Sequence, residues 1–85
     1  MIDAPDAAPA KTTRVIIRSI VIAGHRTSVS LEDAFWRTLK EIAAQNGVSL
    51  AALVATVDAQ RGDANLSSAL RVFALERIRQ ARPLF

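Results

Sequence analysis

The stretch Ala23-Gly24-His25-Arg26-Thr27-Ser28-Val29-Ser30-Leu31-Glu32-Asp33 changes its period part-way, and that change sets the reading of the whole chain. From Arg26 to Leu31 the side chains alternate, with Arg26, Ser28 and Ser30 pointing one way and Thr27, Val29 and Leu31 the other. Such alternation describes a strand with one covered face. Glu32 and Asp33 then suit the first turn of a helix, where carboxylates meet the positive end of the dipole, with Ser30 as the expected cap. Phe35, Leu39 and Ile42 follow at i, i+4 and i+7, widened by Trp36 and Ala43, so an amphipathic helix is predicted to about Gln45. Asn46-Gly47 stops it.

Upstream, Arg14 to Ile22 is dense in β-branched residues and reads as a first strand. Its apolar residues do not alternate cleanly, which predicts partial cover on both faces. Ala23-Gly24-His25 separates the strands, and Gly24 is free to adopt a left-handed conformation. Downstream, Ser49 is placed to cap a second helix whose Leu50, Leu53, Val54 and Val57 share one face, and Arg61-Gly62-Asp63 ends it. Asn65 opens a third helix. Its Leu66, Ala69, Leu70, Val72, Phe73, Leu75 and Ile78 cover most of the circumference, which predicts burial on several sides. The predicted order is strand, strand, helix, helix, helix. Residues 1–12, rich in Ala, Pro and Asp, read as a flexible tail. Residues 13–82 read as one domain, and Pro83 closes it, leaving 83–85 as the C-terminal end.

Eighty-five residues leave room for one domain, and a chain this short often needs a staple. Without cysteine neither a disulfide nor a thiolate metal site forms, and a single histidine makes a poor metal centre. Oligomerisation is the staple left. The net charge of +3 is uneven: the N-terminal third and the segment after Asn65 are basic, the middle acidic. That distribution suits a polyanionic partner and equally an ordinary soluble protein. No apolar run approaches the roughly 18–20 residues that cross a bilayer, and the acidic, proline-bearing start differs from a secretory signal. A cytoplasmic protein with no membrane partner is expected. No nucleophile–base spacing, glycine-rich phosphate loop or metal cluster appears, so neither an enzyme nor a cofactor is expected.

The segment Ala23 to Glu32, the pair Phe35-Trp36 and the run Asn65-Leu66-Ser67-Ser68-Ala69-Leu70-Arg71 resemble a bacterial subfamily of ribbon-helix-helix proteins, over about Ile20 to Leu75. The resemblance implies an α+β homodimer, here with an extra N-terminal strand and an extra C-terminal helix. In that family one strand from each copy pairs antiparallel, and the two-stranded ribbon enters the major groove of double-stranded DNA. Carried onto this chain, Arg26, Ser28 and Ser30 are the reading residues. The start of the second helix, at Val48, Ser49 and Leu50, supplies backbone N–H groups to a phosphate. Val29, Leu31, Phe35, Trp36, Leu39 and Leu53 make a dimer core that a lone protomer leaves partly exposed. The implied function is transcription regulation.

Two other readings stay open. Gly24, His25, Arg26, Thr27 and Ser28 form a polar set suited to a small anionic or amino-acid ligand, and the third helix suits a protein partner as a dimerisation adaptor. Arg26 itself is open between a base contact, an anionic ligand and a salt bridge to Glu32 or Asp33 of its own dimer. Arg71, Arg77, Arg79 and Arg82 are open between phosphate contacts and a solvated helix face. The placing of Arg14 to Ile22 bears on all three. Paired with the ribbon in both copies, it makes a four-stranded sheet about 14 Å across, whereas the major groove is roughly 12 Å wide and admits two strands.

Overall fold

The computed structural model describes residues 12–81. Strands β1 (Val15–Ile22) and β2 (His25–Glu32) are followed by helices α1 (Asp33–Gln45), α2 (Leu50–Gln60) and α3 (Leu66–Ala81), the predicted order. The tail before Thr12, Arg82 and the expected stop at Pro83 lie outside the described residues.

β1 and β2 pair antiparallel along their whole length, from Val15 opposite Glu32 to Ile22 opposite His25. The loop between them is only Ala23-Gly24, and both residues have positive φ, 51° and 84°. That is the type I′ geometry, whose twist matches the flanking strands. Gly24 adopts it freely, while Ala23 bears the steric cost of a Cβ in the left-handed region.

Directly opposed residues share a face. Ile16, Arg18, Ile20 and Ile22 therefore stand with Leu31, Val29, Thr27 and His25 toward the helices, and Val15, Ile17, Ser19 and Val21 stand with Glu32, Ser30, Ser28 and Arg26 on the outer face. The expectation for β1 is corrected here. Its apolar residues do occupy both faces, but only one is covered: Ile20 and Ile22 are buried, while Ile17 is 68% exposed and Val15 and Val21 are exposed by more than half.

Beneath the sheet β1 packs on α2, and β2 packs on α1 and α3. Leu31, Trp36, Leu39, Val54 and Leu70 are fully enclosed, with Val29 and Ala74 nearly so. The Trp36 indole Nε1 donates to the Ile16 carbonyl at 2.9 Å, tying α1 to β1. The Arg18 guanidinium lies over the same ring at 5.4 Å, a cation–π contact, while its Nε is buried with no hydrogen-bond partner among the described residues.

The expectation that a lone protomer leaves the dimer-core set partly exposed needs correction. Val29, Leu31, Trp36, Leu39 and Leu53 are already buried within one protomer, and only Phe35 of that set stays half-buried. The extra strand and the extra helix supply the cover. The cap is corrected too: the N-cap of α1 is Glu32, which makes no side-chain cap bond. Ser30 lies two residues earlier, still within β2, and the Asp33 N–H donates to the Arg14 carbonyl at 2.8 Å. Elsewhere the expected signals act as read. Ser49 Oγ accepts from the Ala52 N–H at 3.0 Å, and Asn65 Oδ1 accepts from the Ser68 N–H at 3.2 Å. α3 departs from expectation, burying Leu70 and Ala74 but leaving Val72, Leu75 and Ile78 largely exposed. Among the described residues no single helix is long and apolar enough to cross a membrane.

Candidate nucleic-acid interface

Two elements could meet a polyanion, the outer face of β2 and the start of α2. On β2 the pleat brings Arg26, Ser28 and Ser30 to one side, away from the helices, with Arg26 and Ser28 exposed and Ser30 half-buried. Within the protomer, among the described residues, Arg26 forms no salt bridge with Glu32 or Asp33. Glu32 is held by Arg71, Nε to Oε1 at 2.9 Å, and Asp33 by Arg37 at 2.8 Å. Arg26 instead donates from Nη1 to Ser19 Oγ across the hairpin at 3.4 Å, a long bond at an exposed site. Its guanidinium therefore stays available to an anion or a base edge.

The five-residue ligand set is divided by the same pleat. Arg26 and Ser28 face outward, while Thr27 and His25 stand on the opposite face, Thr27 half-buried and His25 exposed at the turn. Gly24 sits in the turn itself. The main concavities lie among the helices, away from this turn. One of about 380 Å³ runs between α2 and α3 past Val57, Arg61, Ser68 and Phe73. Another of about 250 Å³ lies between α1 and α3, lined by Phe35, Thr38, Val72, Leu75 and Ile78.

At α2 the phosphate expectation is narrowed. The Val48 N–H is committed to the Ala43 carbonyl at 3.0 Å, and the Ser49 hydroxyl is occupied by its cap bond. Val48 and Ser49 are exposed beside this helix start.

All three arginines of α3 have structural partners. Arg71 bonds Glu32 and lies 5.9 Å from the Phe35 ring centre. Arg77 lies 5.6 Å over Phe73, and Arg79 approaches Glu76 at 3.8 Å. The Arg71 hydrogen bond, followed by one from the backbone, holds the Glu32 carboxyl below its ordinary 4.5, against a smaller opposing effect of desolvation. Sequence reading missed the Glu32–Arg71 pair, which joins residues 39 apart in the chain, and it missed the contacts of Arg18 and Trp36 for the same reason of distance along the sequence.

Residues 15–78 match the ribbon-helix-helix domain family. The chain belongs to that family. Among solved structures, this ribbon-helix-helix protein is similar to an uncharacterized protein from Bordetella pertussis Tohama I, at 38% identity with a TM-score of 0.72. The alignment covers 85% of this chain and 62% of that one, so the present chain spans under two thirds of its neighbour's length. No curated protein matches.

Proposed function

We propose that this protein is a homodimeric DNA-binding regulator in which Arg26, Ser28 and Ser30 of both copies face the double helix. One observation carries the reading: on the strand that the family uses, these three polar residues share a face turned away from the core, and the guanidinium has no carboxylate partner among the described residues. Arginine bonds guanine edges in a bidentate way, and serine bonds either kind of base edge. A flat strand face also suits an extended duplex better than a small molecule, which favours a concave pocket.

The hairpin changes how such a protein docks. With β1 along the whole of β2, joining two copies through their β2 edges makes a sheet about 14 Å across, too wide to enter a groove of roughly 12 Å. The sheet then lies across the mouth of the groove, and Arg26 is the side chain that reaches in. Binding titrations of duplex libraries at low and at physiological salt test this. Wild type should bind with an affinity that falls as salt rises, and Arg26→Ala should weaken discrimination by about 1–3 kcal/mol. No binding by the wild type at low salt overturns the reading.

A second reading is favoured by the apolar margin that β1 adds beside Arg26. Val15, Ile17 and Val21 are unsuited to the phosphates that the edge of such a sheet would meet. In this reading the Gly24–Ser28 turn holds a carboxylate-bearing metabolite through the Arg26 fork. Melting wild type and Arg26→Ala against amino acids and organic acids decides between them. A ligand that stabilises only the wild type supports the sensor, and equal melting throughout dismisses it.

A further inference from the structure

We infer that the exposed apolar face of α3 is a self-association seam, covered by a second copy of this chain, and that it joins copies which each hold a complete core of their own. The inference rests on the homodimer of the preceding section and adds to it a surface and a consequence. Val72, Leu75 and Ile78 project from α3 with exposures of 57%, 52% and 41%. Together with half-buried Phe35 they border the cavity of about 250 Å³ between α1 and α3. Soluble monomers seldom leave so contiguous an apolar patch open.

Three features point to a second copy as the occupant. The first is position. β1 packs on α2 while β2 packs on α3, so α3 lies on the flank of the hairpin where the edge of β2 is unpaired. In the hairpin, the Ile22–His25 pair flanking the two-residue turn exchanges its bonds inward. Pairs alternate from there, so the backbone groups of Arg26, Ser28 and Ser30 point out from the free edge. An open strand edge calls for a partner or a cover, and one two-fold axis at that edge, normal to the sheet, pairs the two β2 strands antiparallel and serves the helix beneath them as well.

The second feature is charge. Arg71, the one charged residue among the described residues that border the groove, is paired with Glu32, and Arg79, four residues beyond Leu75 on the same stripe, approaches Glu76 at 3.8 Å, so two identical seams meet with these arginines already paired. The third is the opposite side of the same helix. Leu70 and Ala74 are buried inside the protomer, so α3 is anchored before any partner arrives. Separating the copies therefore yields folded monomers.

The test uses the full chain at micromolar concentration, by sedimentation velocity and far-ultraviolet circular dichroism. Wild type should sediment as a dimer. Leu75→Glu should sediment at half that mass with its helical signal intact, and Gln80→Glu, elsewhere on α3, should remain dimeric. Because the chain has no cysteine, single replacements give a clean second readout. Under mild oxidation at least one of Val72→Cys, Leu75→Cys and Ile78→Cys should form a disulfide-linked dimer, and Ala51→Cys, exposed on α2, should not. A dimeric Leu75→Glu together with no cross-linking at the three positions overturns the seam while leaving the homodimer standing. A monomeric wild type overturns both. Should Leu75→Glu unfold, cross-linking of the cysteine variants decides alone.

Discussion

α1 and α3 are both rich in apolar residues and both reach the core, yet they use their side chains differently. α1 turns Trp36, Leu39, Ile42 and Ala43 inward in one stripe, and the rest of its surface is polar apart from Ala34, Ala44 and half-buried Phe35. α3 is longer but buries only Leu70 and Ala74, and it keeps three large aliphatic side chains outside. The hairpin repeats the contrast at smaller scale, with Ile20 and Ile22 enclosed and Ile17 and Val21 open on the other face of one strand. Equal hydrophobicity thus divides into two roles: one set holds the protomer together, and the other is left over for something outside it.

Breaking the comparison starts with the largest effect. Leu39→Ala empties a fully enclosed site and should cost about 2–5 kcal/mol, a large part of the stability of a domain this size. Leu75→Ala, denatured in urea at a concentration where the chain is monomeric, should stay within about 0.5 kcal/mol of wild type. Equal losses at the two sites would erase the distinction between core and seam.

A smaller effect sharpens it from the other side of the core. Trp36→Phe keeps most of the buried ring but removes the donor to the Ile16 carbonyl, at a cost of about 1–2 kcal/mol. The loss should appear as faster amide exchange in β1 than in α3, since the bond ties β1 to α1. Uniform acceleration across both elements would mean that the bond serves the whole core and not β1.

The turn gives a gain instead of a loss. Asparagine tolerates positive φ better than alanine and is favoured at this place in type I′ turns. Ala23→Asn should therefore raise stability by up to about 1 kcal/mol, read as a higher denaturation midpoint. A lower midpoint would count against the turn geometry.

The smallest effect is electrostatic. Arg71 lowers the pKa of Glu32 in the folded chain, so its contribution to stability is present above the ordinary value of 4.5 and is lost as pH falls through the lower folded value. The melting temperatures of wild type and Glu32→Gln should differ near neutrality and converge in acid. A gap that persists unchanged in acid would show that the pair adds no pH-dependent stability.

The order of elements was legible in the sequence because each rests on local physics. Alternation marks β2, a 3.6-residue stripe marks α1, and Ser49 and Asn65 announce the helices that they cap. The outward set Arg26, Ser28 and Ser30 was legible for the same reason, since period 2 fixes which residues share a face once a strand exists. What a face meets is a different matter. Val29, Leu31, Trp36, Leu39 and Leu53 read as surfaces needing a partner copy, but β1 and α3 cover them within the protomer. The pairing of Glu32 with Arg71 and the exposure of Val72, Leu75 and Ile78 also depend on how distant segments meet. Periodicity states that a side chain is apolar and which way it points. Only the packing of β1 and α3 against the rest decides whether water, its own chain or another molecule lies there.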